Sequence, residues 1–78
     1  MKRYPVIEIQ RLSWAGKPEY IEVFLVKTGK KSIKIRGKIC GNEETLFLNN
    51  SSYYPAYHSK TGKTWIDKIV LERQLNYT

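Results

Sequence analysis

The sequence predicts an all-β protein, a small antiparallel barrel or sandwich of five to six short strands built from hairpins. Apolar and polar residues alternate over several short segments, as they do in strands that bury one face. Clusters of Gly, Pro, Asn and Ser separate these segments at fairly even spacing, which is typical of turns. The two Trp, six Tyr and two Phe residues also favour strands and a folded core.

Three strands are predicted in the first half of the chain. Alternation predicts strands over Val6–Leu12 and Tyr20–Val26. The tetrapeptide Lys-Thr-Gly-Lys at 27–30 predicts a tight turn, with Gly29 at a positive φ. Ser32–Ile39 follows as the third strand. Residues 20–39 should therefore form a hairpin.

The second half predicts two shorter strands and a second turn. Thr45–Leu48 alternates as a fourth strand, and Tyr53–His58 is extended by composition. Pro55 confines this fifth strand to an edge or a bulge, because proline has no N–H to give a sheet. Such an edge could pair with a second copy and form a homodimer. Lys-Thr-Gly-Lys then recurs at 60–63 and predicts another hairpin turn.

The segment 64–75 has two interpretations. As a strand it places Trp65, Ile69 and Leu71 on one face, although Asp67 interrupts the alternation. As a helix it would begin with a capping box from Thr64 to Asp67. The hairpin turn directly before it favours the strand.

Length and composition predict one small basic β domain over residues 1–78. The single cysteine, Cys40, permits no internal disulfide and no multi-cysteine metal site. A reducing, cytoplasmic setting is expected, with no metal and no cofactor. No apolar run has the length of a signal peptide or a membrane span, so no membrane partner is expected.

The charge predicts an anionic partner. Fourteen Lys and Arg residues against seven Asp and Glu give a formal charge of +7. Six of the basic residues fall between positions 27 and 38 without an acid, whereas positions 39–59 hold no Lys or Arg and include Glu43 and Glu44. The sequence therefore predicts one charged pole.

The basic residues form two groups with a candidate role in binding nucleic acid. The basic ladder (Lys34, Arg36 and Lys38) alternates with Ile33, Ile35, Gly37 and Ile39. Side chains on one strand face stand about 6.5–7 Å apart, a spacing that can follow a phosphate backbone. The basic turn (Lys27, Lys30 and Lys31) would extend this track. The alternative is a solvated strand face whose lysines protect a sheet edge from aggregation.

Three tyrosines, Tyr53, Tyr54 and Tyr57, could stack on bases beside these cations. Alternatively they only cover the edges of the core. His58 could serve as a general base, or it is simply an exposed polar residue in a turn.

Three functional hypotheses follow. The first is a non-enzymatic protein that binds DNA or RNA through backbone phosphates with little sequence preference. The second is an adaptor or inhibitor whose basic face docks on an acidic protein surface. The third, ranked last, is a metal-independent ribonuclease that uses His58.

Overall fold

The computed structural model describes residues 4–76 and contains a closed antiparallel β-barrel followed by one helix. Each strand pairs with the next one in sequence, and the sixth pairs with the first. The predicted small all-β barrel is confirmed. Its elements are β1 (Val6–Leu12), β2 (Pro18–Thr28), β3 (Ser32–Gly37), β4 (Glu43–Asn49), β5 (Ala56–His58), β6 (Thr64–Asp67) and α1 (Lys68–Asn76).

The core lies inside the barrel and is formed by alternate strand residues. The predicted alternation is confirmed in β1, β2 and β3, where isoleucine, valine and leucine point inward and polar residues mostly point outward. Leu46, Tyr57 and Ile66 complete the inner surface from β4, β5 and β6. The barrel is therefore a single sheet closed around a core of mainly aliphatic side chains.

The segment 64–75 divides into a strand and a helix. The preference for a strand was right for Thr64–Asp67 and wrong from Lys68 onward. The alternative helix was right from Lys68 onward, but its capping box was wrong, because Thr64 lies at the start of β6. The helix forms because Leu71, which is buried in the core cluster, and Leu75, which packs against that cluster, recur at i and i+4 on one face.

The helix also completes the seam between β1 and β6. This seam contains only two paired positions, at Gln10 and Arg11 of β1. Beyond them, the side-chain amide of Gln74 takes the place of a strand. Its Oε1 accepts a hydrogen bond from the backbone N–H of Glu8, and its Nε2 donates to the Glu8 carbonyl at 3.0 Å. The backbone groups of Glu8 are thereby satisfied.

Two local expectations differ from the structure. β3 ends at Gly37, so Ile39 lies in the following turn with 95% of its surface exposed, because the chain reverses there through Gly41 at φ 69°. Gly29 is not at a positive φ, whereas Gly62 of the second Lys-Thr-Gly-Lys turn is, at 75°.

The fifth strand begins at Ala56, after Pro55, and is paired on both sides by β4 and β6. Pro55 therefore precedes the strand and removes no hydrogen bond from it. The expected free edge is absent from this strand, and with it the predicted route to a homodimer by edge pairing.

The connections lie at two opposite ends of the barrel. Because successive strands run in opposite directions, residues 29–31 and 50–55 lie at one end, where β6 also passes into α1. We call this the helix end. Residues 13–17, 38–42 and 59–63 lie at the other, which we call the open end. The two Lys-Thr-Gly-Lys turns are therefore at opposite ends of the molecule. Within residues 4–76 no helix is long and apolar enough to cross a membrane.

Candidate nucleic-acid interface

The basic ladder is only partly on a strand. Lys34 and Arg36 point outward from β3, since the intervening Ile33 and Ile35 are buried. Lys38 lies just after the strand, in the turn at the open end. The regular spacing expected of three strand cations therefore applies to two of them.

Neighbouring strands supply carboxylates to the whole ladder. Glu43 of β4 lies opposite Arg36, with its oxygens 2.6 Å from Arg36 Nη2 and 2.9 Å from Lys34 Nζ. Lys38 Nζ lies 2.5 Å from Glu22 Oε2 of β2. The cations that are free of acids along the sequence are thus paired with acids across the sheet.

The electrostatics of Glu43 and Arg36 reflect this pairing. The hydrogen bond from Arg36, followed by that from Lys34, holds the pKa of Glu43 below its ordinary value. The same hydrogen bond and the charge of Glu43 raise the pKa of Arg36. A phosphate that approached the ladder would have to displace a carboxylate that its cations already hold.

The basic turn differs from the ladder in this respect. Lys27, Lys30 and Lys31 are exposed, and no carboxylate of residues 4–76 lies within ion-pair distance of them. Backbone hydrogen bonds hold the turn, from Gly29 N–H to the Ser32 carbonyl at 2.7 Å and from Leu48 N–H to the Lys31 carbonyl at 2.8 Å. Three uncompensated cations thus lie at the helix end: Lys27 near the end of β2, opposite Lys34, and Lys30 and Lys31 in the turn that follows.

The expected single charged pole is not observed. Lys17, Lys60 and Lys63 form a second exposed group at the open end, and the described carboxylates make no ion pair with them either. The acids of the supposedly separate acidic stretch lie on β4, beside the ladder. Folding therefore redistributes charge that appears segregated along the sequence.

The three tyrosines occupy different environments. Tyr53 is 95% exposed in the loop at the helix end. Tyr54 packs its ring edge-on against Trp65, with 6.5 Å between ring centroids and 68° between ring planes. A hydrogen bond to the Asp67 carboxylate raises the pKa of Tyr54 above its ordinary value.

Tyr57 is the one candidate stacking residue whose predicted role is wrong. It points into the barrel with only 8% of its surface exposed, between Leu48 and Ile66 on the adjacent strands. A ring enclosed by core side chains cannot stack on a base. From the middle of β5, a strand of only three residues, its aromatic ring instead fills part of the barrel interior.

Sequence reasoning missed an aromatic row on the outer surface. Phe47 of β4 pairs with His58 of β5, and His58 pairs with Trp65 of β6, so the three rings lie side by side on adjacent strands. We call these three residues the aromatic row. Phe47 is 48% exposed, and His58 and Trp65 are half-buried. The signal was present, because Phe47 alternates with Leu46 and Leu48 at a position where an outward strand residue is usually polar.

The side chain of His58 therefore lies between the rings of Phe47 and Trp65 on the two adjacent strands. Among the residues described, no carboxylate or hydroxyl forms a hydrogen bond with its side chain. This arrangement presents the imidazole as a flat ring between two aromatic side chains. The described part of the chain also contains no cluster of three or more His, Cys, Asp or Glu residues that could hold a metal ion.

The open end of the barrel contains a cavity of about 850 Å³. Its wall mixes aliphatic residues such as Ile21 and Ile35 with Arg11, Lys38 and Glu44. Both cations are already paired, Arg11 with Glu19 and Lys38 with Glu22. The cavity therefore offers no excess of one charge to a ligand.

Comparison with known proteins finds no matching family model, curated protein or solved structure. The functional assignment therefore rests on the geometry described above.

Proposed function

We propose that this protein is a non-enzymatic nucleic-acid-binding protein that contacts backbone phosphates through the basic turn. The observation that carries the proposal is the contrast between the two basic groups. Lys27, Lys30 and Lys31 have no carboxylate partner in the described part of the chain, whereas each cation of the ladder has one. Uncompensated lysines are the groups that gain most from a phosphate, because counterions are released when they bind it.

The closed barrel argues against edge protection as the role of these lysines. Lysines protect exposed sheet edges from pairing with other chains. The basic turn joins β2 to β3, and both of these strands are paired on each side. No edge is present there to protect, which favours a role in binding.

The ladder has a secondary role in this proposal. Glu43 competes with phosphate for Lys34 and Arg36. These two cations therefore contribute less to the affinity for nucleic acid than two unpaired cations would. Contacts from lysines to phosphates carry no sequence information. We therefore expect weak sequence preference. The exposed free thiol of Cys40 is compatible with a reducing cytoplasm, and that location is part of the proposal.

The test is fluorescence anisotropy with labelled DNA and RNA over a salt series. The variant Lys30→Glu with Lys31→Glu should raise Kd on the order of tenfold or more at low salt and should flatten the salt dependence. The matched control is Lys17→Glu with Lys63→Glu, which makes the same change in net charge at the open end. If both double variants lose the same affinity, binding follows net charge alone and the basic turn is not the site. If the wild-type protein binds no nucleic acid at low salt, the proposal fails.

A second candidate is an adaptor that docks on an acidic protein surface. The observation in its favour is at the open end, where Trp14 is fully exposed and Ile39 is 95% exposed. Large apolar side chains of this kind anchor protein interfaces and contribute little to phosphate binding. A protein that co-purifies at fixed stoichiometry after nuclease treatment, and is lost in Trp14→Ala, would favour this candidate.

A further inference from the structure

We propose that the aromatic row selects single-stranded over duplex nucleic acid by stacking unpaired bases on Phe47 and His58. This inference rests on the proposed function and adds the class of nucleic acid. It uses residues outside the basic turn. The two can therefore be tested separately.

The geometry of the row suits consecutive bases. Phe47 and His58 are directly paired across β4 and β5, and His58 and Trp65 across β5 and β6. Directly opposed side chains stand about 4.5–5.5 Å apart at Cβ, so neighbouring rings can each meet one base of an extended strand. Tyr54 supports the far side of the row through its edge-on contact with Trp65.

The row is next to cations on the same outer surface. Ser32 of β3 lies directly opposite Phe47 on the adjacent strand. Lys34 lies two residues further along β3 and points outward on the same face. Toward the open end of the barrel, Lys60 and Phe47 line the same shallow hollow. Glu43 and Glu44 also border this hollow. The Glu43 carboxylate is held by Lys34 and Arg36, whereas Glu44 forms no ion pair with the described residues. Bases on the rings would thus have phosphates within reach of lysines.

The aromatic row favours single strands because stacking requires a free base face. In a duplex both faces of every internal base are covered by neighbouring pairs, so the rings of a convex barrel surface gain nothing from it. An extended single strand presents faces to aromatic side chains whatever its sequence. The phosphate contacts of the basic turn are available to either form, which leaves the row as the discriminating element.

The experiment compares Phe47→Ala with Trp14→Ala for binding to labelled oligo(dT) and to an oligo(dA)·oligo(dT) duplex of the same length. Loss of one stacked base should raise Kd for oligo(dT) by about 5- to 150-fold. Binding of the duplex should not change. Trp14→Ala removes a fully exposed ring at the open end and should leave both affinities unchanged. Phe47→Tyr keeps a ring at the position and should retain tight binding.

A second measurement does not depend on Phe47 variants. In a Trp14→Phe chain Trp65 is the only tryptophan, so stacking in the row should quench its fluorescence when oligo(dT) is added and not when duplex is added. Wild-type affinity of Phe47→Ala for oligo(dT), or an unchanged Trp65 signal at saturation, would overturn the inference. The proposed function would still stand if Lys30→Glu with Lys31→Glu weakened binding of both forms.

Discussion

Removing the charge of Glu43 should strengthen nucleic-acid binding, which is the opposite of what most substitutions do. Glu43 holds Lys34 at 2.9 Å and Arg36 at 2.6 Å and keeps both from a phosphate. Glu43→Gln removes the negative charge and leaves a side chain of nearly the same size. We therefore expect the two cations of β3 to join the basic turn in binding.

The size of the effect follows from counterion release. For a single strand, log K falls with log salt by about 0.7 for each phosphate contact, so the three lysines of the basic turn give a slope of about −2. Two additional contacts from Lys34 and Arg36 would steepen the slope to about −3.5. A fourfold rise in salt should then weaken the Glu43→Gln variant about sevenfold more than the wild-type protein.

The assay is the same anisotropy titration with labelled oligo(dT) over a salt series. The control is Glu44→Gln, which makes the same charge change one residue away, at a carboxylate that forms no ion pair with the described residues. If the two variants change affinity and slope equally, the gain comes from net charge and the reasoning about masked cations is wrong. A slope in Glu43→Gln equal to that of the wild-type protein would also refute it.

Three further predictions concern the ion pair and the fold. Arg36→Gln should raise the pKa of Glu43 toward 4.5, as followed by NMR titration of its carboxyl carbon, because the hydrogen bond from Arg36 is the largest cause of its lowered pKa. Since that pKa is lowered by folding, the stabilising effect of the pair is complete above about pH 4.5 and is lost as the pH falls through the lowered value, so the difference in Tm between the two proteins should vanish in acid. Leu71→Ala should lower the free energy of unfolding by about 2–5 kcal/mol in a urea titration, because it empties a buried site in the core cluster. Gly62→Ala should cost about 1–2 kcal/mol in the same assay because φ is 75° there. Gly29→Ala should cost less, because its new Cβ would meet only the rotatable Ser32 Oγ at 3.3 Å and the Ser32 carbonyl at 3.4 Å.

The sequence predicted a small antiparallel barrel or sandwich because most of its strands alternate and most of its turns are short. β1 was predicted with its observed bounds, Val6–Leu12. The helix was harder to predict, because α1 has only nine residues and few apolar positions to define a face. Leu71 and Leu75 become a buried face only when the barrel is present to receive them. Tertiary packing, rather than local propensity, decides that segment.

The ion pairs of Lys34 and Arg36 depend on where β4 begins. The predicted strand began at Thr45, two residues after its observed start at Glu43. With the longer strand, a hairpin between β3 and β4 brings Glu43 opposite Arg36. The distribution of charge along the sequence does not show this ion pair, because its partners lie on different strands of the hairpin. Tyr57 was misassigned for a different reason, since three residues are too few to show which face points inward.

The two Lys-Thr-Gly-Lys turns distinguish a binding site from a generally basic surface. The same tetrapeptide occurs at opposite ends of the barrel, and the lysines of each copy lack carboxylate partners in the described residues. A protein that attracts nucleic acid only through net charge would lose equal affinity when either end is reversed. Lys31 adds a third uncompensated cation at the helix end, and its carbonyl accepts a hydrogen bond from the residue directly after Phe47. The second copy also lies near the aromatic row, because Lys60 shares a hollow with Phe47 and the turn joins β5 to β6. Proximity to the row therefore does not distinguish the two ends, and a greater loss on charge reversal at Lys30 and Lys31 than at Lys17 and Lys63 is the result that a phosphate site at the basic turn requires.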